Sequence, residues 1–167
     1  MLNDIAWRRM TAFDLAAVQA LADKVHPDFF EAPEIFAERL SLYSAGAHVL
    51  EVGERPVGYV FSHPWRLGDL PPLNARLGAL PEDADTYYLH DLALLPLARR
   101  IGAAGRIVAA LTKHARARGF PTMSLVAVNA SQGFWERHGF VVADRPELAA
   151  KLASYESAAR YMVQVLD

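Results

Sequence analysis

One stretch limits the folds open to this chain more than any other: residues 87–111, YYLHDLALLPLARRIGAAGRIVAAL. Its first part, residues 87–96, has the length and apolar content of a buried strand, and Pro96 closes it because proline brings no N–H to a sheet ladder. The residues from Arg99 onward read as a helix that stops at Gly119, with cations crowding its last turns as the helix dipole favours. TMSLVAV, residues 122–128, follows as another short apolar strand. Strand, helix, strand in that order is a βαβ crossover, so the chain must build a sheet carrying helices on its faces.

The flanking segments extend that sheet. IAWRRM, residues 5–10, suggests a first strand, and Asp14 with Leu15, Val18, Leu21 and Ala22 behind it suggests a helix to about Val25, ended by His26-Pro27. Pro33 suits a first helical position, and Ile35, Phe36, Leu40 and Tyr43 recur at helical spacing up to Gly46. AHVLEVG and PVGYVFS are rich in valine and aromatics and meet at GERP, a tight hairpin signal. Residues 68–86, with three prolines, form the one long loop, a lid or an insertion. Further on, SQGFWERHGF reads as a short helix from Ser131 to Gly139, GFVV starts a strand, and RYMVQVL is a last one. The fold class expected is α/β (α+β), with a mixed sheet.

Composition removes several function classes. A chain of 167 residues, 53% hydrophobic and 22% charged, is expected to be one globular domain over residues 1–167. It has no cysteine, which excludes disulfides, thiolate nucleophiles and zinc sites that need a thiolate; no metal site is expected. The longest apolar runs, such as LALLPLA, fall far short of the roughly 18–20 residues that span a bilayer. The opening MLNDIAWRRMTAFD lacks the apolar core of a secretory signal, so a cytoplasmic location is the default expectation. With Lys+Arg 17 against Asp+Glu 19, no global basic field favours nucleic acid, and Lys113, His114, Arg116 and Arg118 read as a solvated helical turn.

The Arg-Gly stretch RRIGAAGR, residues 99–106, is where local recognition concentrates. A glycine-rich turn leading from a strand into a helix aims free N–H groups and the positive end of the helix dipole at one spot, which suits an anion. Gly102, Ala103, Ala104 and Gly105 allow close approach, and Arg99, Arg100 and Arg106 add charge. Glycines at such a turn also serve packing alone. Neither G-x-x-x-x-G-K-[ST] nor G-x-G-x-x-G is present, so a P-loop or dinucleotide reader is not supported.

The segment LHDLALLPLARRIGAAGRIVAAL resembles the central signature of the GNAT superfamily of acyl-CoA N-acyltransferases: an apolar strand, a proline, then [QR]-x-x-G-x-[GA] opening a helix. Arg99, Gly102 and Ala104 fill the defined positions. LVAVNASQGFWERHGF is similar to the family's second half, so the two motifs cover residues 87–142 in the right order. The resemblance implies a mostly antiparallel sheet of six to seven strands with a splayed parallel pair at the coenzyme A site. It implies that acetyl-CoA is the cosubstrate, that N–H groups of Ile101, Gly102, Ala103, Ala104 and Gly105 hold the pyrophosphate with Arg99 and Arg100 near, and that Leu92, Ala93 and Leu94 pair with the pantetheine arm. Asn129 would lie beside that arm and Trp135 near it. The partner is then a small amine acceptor, and a homodimer is compatible with the family.

Acyl transfer to an amine needs the amine unprotonated, although a free alkylamine has a pKa of about 10.4. His90 is the candidate base, since a neutral imidazole can accept a proton; LHDLAL resembles the LHALAV segment of arylalkylamine N-acetyltransferases, whose matching histidine acts in proton removal. Asp91 is the rival, and alternation places it on the opposite strand face from His90. A buried structural histidine remains the alternative. Many family members protonate the departing thiolate with a tyrosine where this chain has Trp135, an indole that is no usable acid and suits core packing. Tyr88 and Tyr155 are the possible substitutes. Phe29, Phe30, Phe36 and Tyr43, or His63-Pro64-Trp65, are candidate pocket walls, and helical spacing equally suits the aromatics to the core. A CoA-binding module without turnover is the competing function.

Overall fold

The computed structural model describes residues 4–143 and 145–167. Strand β1 (Ile5–Arg9) leads to α1 (Leu15–Val25) and α2 (Pro33–Leu42), then β2 (Ala47–Val52), β3 (Arg55–Trp65) and β4 (Thr86–Leu94). The crossover helix α3 (Ala103–Ala117) carries the chain to β5 (Thr122–Ala127), followed by α4 (Gln132–Arg137), β6 (Val141–Val142), α5 (Ala149–Tyr155) and β7 (Arg160–Val165). The strands form one seven-stranded sheet in the order β1-β2-β3-β4-β5-β7-β6. Every neighbouring pair is antiparallel except β4 and β5.

Local chemistry explains most of these elements. Asp14 accepts the Thr11 amide at 2.8 Å and a bidentate pair from Arg8 at 2.8 and 2.7 Å, tying the start of α1 to β1. Pro33 takes the first turn of α2, as its fixed φ and missing N–H allow. The β2–β3 hairpin turns at Gly53 with φ +61°. Two spans differ from expectation. Helix α3 begins at Ala103 rather than Arg99, because Pro96–Ala98 form a 3-10 turn and Gly102 then adopts φ +77° ahead of the helix. Helix α5 was not legible: none of its residues is buried, so no apolar stripe marks it. No helix among the described residues is long and apolar enough to cross a membrane.

The core lies on both faces of the sheet. Tyr59, Phe61 and Ala93 pack with Val18, Leu21 and Ala22 of α1 and Phe36 of α2. Val60, Tyr87 and Leu89 pack with Ile107, Val108 and Leu111 of α3 and with Leu125 of β5. Strand β3 therefore alternates as a pleated strand must, whereas in β4 Leu89 and Ala93, four residues apart, join opposite clusters. A β-bulge is responsible: Phe61 pairs with Asp91 and Ser62 with Leu89, which leaves His90 as the extra residue and reverses the phase of the strand beyond it.

The expected loop ends one residue early, because Thr86 already belongs to β4, and residues 68–85 are pinned to the α1–α2 region. The Ala32 amide donates to Asn74 Oδ1 at 2.7 Å, the Asn74 amide to Glu31 Oε2 at 3.1 Å, and the Leu77 amide to Glu38 Oε1 at 2.6 Å.

Candidate active site

The parallel pairing of β4 with β5 covers only Tyr87–Leu89 against Met123–Leu125. Beyond Leu89 the strands part, and β4 runs on to Leu94 with its other edge held by β3. The gap is a cleft of about 550 Å³, walled on one side by Leu92, Ala93 and Leu94 and on the other by Val128 and Asn129. Arg99 and Ala104 lie along it, and Phe134 and Trp135 of α4 complete its wall. Because β5 no longer pairs there, β4 offers the cleft a length of open sheet edge, the feature an extended amide chain can join.

Helix α3 opens against this cleft. Its first N–H groups have no preceding turn to bond, and the first closing bond runs from Arg106 N to Gly102 O at 3.1 Å. Gly102 reaches φ +77° without strain, which a β-carbon would not allow. Arg99 Nε donates to Leu94 O at 3.1 Å and so stays at the strand end, while Arg100 is exposed. Across the cleft, Asn129 and Ala130 both adopt left-handed φ, +55° and +57°, and the Asn129 amide donates to Glu156 at 2.7 Å.

Past the bulge, a small recess of about 40 Å³ continues from the cleft, bordered by His26, Phe29, Glu31, His90, Asp91 and Tyr155. His90 Nε2 lies 2.7 Å from Glu31 Oε1, with both side chains almost fully enclosed, and His90 Nδ1 has no partner among the described residues. Burial would raise the Glu31 pKa, but the charge and hydrogen bond of His90, with Arg39 and the Asn74 amide, bring it below its ordinary value. Asp91 accepts the Tyr59 hydroxyl at 2.6 Å and sits 3.2 Å from His26 Nε2. Burial opposes charge on His26, yet Asp91 outweighs it and leaves the pKa raised. The bulge thus overturns the expectation that His90 and Asp91 occupy opposite faces: both turn toward the α1–α2 region.

A family model described as acetyltransferase (GNAT) family matches residues 7–140. The chain belongs to that family. No curated protein sequence matches it. Among solved structures it is similar to Ard1 from Thermoplasma volcanium, at 14% identity, TM-score 0.74, covering 98% of this chain and 99% of that one. Naa20 of Chaetomium thermophilum, solved with a bisubstrate analogue, matches at 16% identity and TM-score 0.71 over 96% of this chain and 86% of that one. The GphF GNAT-like decarboxylase, solved with isobutyryl-CoA, matches at 16% identity and TM-score 0.75 over 97% of this chain and 100% of that one. At these identities the likeness speaks for the fold.

Within this GNAT framework most of the expected residues come together. Leu92, Ala93, Leu94, Arg99, Ala104, Asn129 and Trp135 border the cleft, and Ile101, Gly102, Ala103 and Gly105 form the turn at the start of α3. Ala103 is fully buried, with its carbonyl accepting the Trp7 indole at 2.9 Å. Tyr88 is a correction: it is fully buried against His63, borders neither cleft nor recess, and burial pushes its ionisation well above the ordinary tyrosine range. Its hydroxyl meets that of Tyr155, which stands between it and the recess. Phe36 is likewise core, stacked on Phe61 at 5.4 Å, and His63 is buried, whereas Phe29 does border the recess. His26 and Glu31 were missed. His26 read only as punctuation after a helix, and no spacing in the sequence ties either residue to β4.

Proposed function

We propose that this protein is an acetyl-CoA-dependent N-acetyltransferase, acting on a primary amine of a small molecule or an amino terminus by direct attack on the thioester. The observation that carries the reading is the open edge of β4 running from the bulge at His90 to the glycine-led start of α3. Pantetheine amides would pair with Leu92, Ala93 and Leu94, and the pyrophosphate would meet the N–H groups of Ile101 through Gly105, with Arg99 and Arg100 supplying charge. Asn129 and Trp135 would flank the arm. That arrangement brings the thioester to the bulge, beside the recess, and residues 1–167 act as one unit around it.

The recess suits an amine. It is small, apolar at Phe29, and fronted by the Asp91 and Glu31 carboxylates, which favour an incoming ammonium group. The amine must shed a proton at the bulge, where His90 and Asp91 both stand, and a backbone N–H near Leu92 would meet the developing oxyanion. His90 is the more enclosed of the two, at 2% side-chain exposure against 14% for Asp91.

Trp135 in place of the family's frequent tyrosine favours a second reading, a module that binds acyl-CoA without turning it over. Thiol release from acetyl-CoA, followed with a thiol reagent across a panel of primary amines and amino-terminal peptides, separates the two. Amine-dependent release supports the transferase. Coenzyme A binding by calorimetry with no release across the panel supports the module.

A further inference from the structure

We propose that His26 is a catalytic residue of this reaction, taking the proton from the acceptor amine and passing it to the departing thiolate, with Asp91 as its positioning residue. The inference rests on the transferase reading above. It begins with place: His26 is the first residue beyond α1, its amide bonded to Ala22 O at 2.8 Å, and Pro27 prevents the helix from continuing. The imidazole borders both the donor cleft and the acceptor recess, as His90 and Asp91 also do. Its side chain is 16% exposed, so it is reachable where His90 is sealed.

The surroundings of the ring select one tautomer. Nε2 faces two acceptors, Asp91 Oδ1 at 3.2 Å and Leu92 O at 3.4 Å, while Nδ1 faces the Asn129 Nδ2 donor at 3.2 Å. The proton therefore belongs on Nε2 and the lone pair on Nδ1, toward the side chain that flanks the cleft. Asp91 is fixed in turn by the Tyr59 hydroxyl at 2.6 Å, from a tyrosine with no solvent exposure. The charged groups facing the ring are Asp91 of β4 and Arg99 beyond it, with the Glu31–His90 pair across the recess and Glu156 on the Asn129 amide. Asp91 is the nearest of them, so the imidazolium is stabilised once formed.

The step balances. The acceptor's ammonium proton is first released to solvent; the lone pair of the free amine then bonds to the thioester carbon as the carbonyl pair moves to oxygen, and Nδ1 of His26, turning from the Asn129 amide, takes a proton from the new ammonium nitrogen. The oxygen pair re-forms the carbonyl, the C–S bond breaks with its electrons on sulfur, and the Nδ1 proton passes to the thiolate. Amide and free thiol leave, and His26 is neutral again. One group thereby covers both the base and the acid that Trp135 cannot be.

The test is the pH dependence of kcat/KM for thiol release by the wild type, His26→Gln, Asp91→Asn and His90→Gln, with coenzyme A affinity of each measured by calorimetry. His26→Gln is expected to lose about 10²–10⁴-fold in kcat and the acidic limb of the profile while binding coenzyme A within about threefold of the wild type. Asp91→Asn shifts that limb to lower pH, because the carboxylate no longer favours the imidazolium. His90→Gln keeps the limb, whatever it does to the rate. A His26→Gln enzyme that retains its acidic limb and a kcat within about threefold overturns the inference while leaving the transferase reading intact. If His26→Gln does not fold, an unmoved limb in Asp91→Asn overturns it instead. A wild type that binds coenzyme A but never turns over ends the transferase reading and this inference with it.

Discussion

Replacing Tyr59 with phenylalanine isolates the bond that joins the core to the site. Tyr59 has no solvent exposure, its ring lies 6.1 Å from Phe36 and 5.7 Å from Phe61, and its hydroxyl donates to Asp91 Oδ2 at 2.6 Å. Burial and the Asp91 charge hold the phenol neutral far above its ordinary range, so it is a donor at every working pH. Phenylalanine keeps the ring packing and removes one oxygen, leaving a one-atom space too small for a replacement water. Asp91 Oδ2 then loses its donor, and a hydrogen bond to a charged group contributes about 1.5–3 kcal/mol. For a chain of this length that is a fall in Tm of about 3–12 °C. Urea denaturation is the direct assay: Cm should drop at constant m, and a double-mutant cycle with Asp91→Asn should return most of the loss as coupling. Activity adds an independent reading, since Asp91 with one donor fewer holds the His26 proton harder and moves the acidic limb of kcat/KM upward. A Cm shift worth less than about 0.5 kcal/mol, or no coupling in the cycle, would refute the claim that this hydroxyl is the carboxylate's fixed partner.

Gly102→Val places a β-branched residue at φ +77°, where the nearest atom to a new β-carbon is Arg106 Nη1 at 3.7 Å, so the cost is backbone strain rather than collision. Strain of about 1–2 kcal/mol released by refolding the turn should weaken coenzyme A binding about 5–30-fold by calorimetry; unchanged affinity would argue against the turn as the pyrophosphate site. Asp14 is lowered from 3.8 to about 2, first by the Arg8 hydrogen bond, so its stabilising contribution is complete above 3.8 and lost as pH falls through about 2. Because Arg8 is 38% exposed the contribution is screened to about 1 kcal/mol, and Asp14→Asn should flatten the dependence of Cm on pH in that window. Glu31→Ala removes the acceptor for the Asn74 amide and the partner of His90, so trypsin should cut after the exposed Arg76 faster than in the wild type; an equal rate would show that the loop's other bonds, among them those of Glu38, Asn74 and Arg39, hold it without Glu31.

The cleft proposed for the donor was legible as a juxtaposition of residues because one continuous stretch encodes most of its wall. A strand, a proline, an Arg-Gly turn and a helix carry Leu92 through Gly105 in order, and only local conformation is needed to align them. Asn129 was legible for the same reason, at the end of the next strand. Tyr88 shares the face of His90, its ring 6.3 Å away, but it lies deeper, packed on His63, and depth along a strand is set by the elements packed over it rather than by its own spacing. The recess proposed for the acceptor depends on contacts between segments far apart in the chain: His26 meets Leu92 66 residues on and Asn129 103 residues on. Helix α1, about 16 Å long, sets that meeting by running from Asp14, fixed on β1, to His26 at its far end.

The bulge was the other illegible element, and it does the most to make a site. Period-two reasoning treats His90 and Asp91 as alternatives, one on each face. An extra residue at His90 puts both on the same side and turns Asp91 toward His26 and Tyr59. Bulges also sharpen local twist, and β4 leaves β5 immediately after Leu89, one residue before the bulge. The open edge that would receive the cosubstrate and the pairing of His26 with Asp91 thus begin at the same irregularity of one strand. Removing His90 by deletion should therefore do more than lose an imidazole. It would restore the alternation of β4 with Asp91 still on the α1–α2 face, and without the added twist of the bulge β4 would stay beside β5 past Leu89, so coenzyme A affinity and turnover should fall together, where His90→Gln leaves affinity in place.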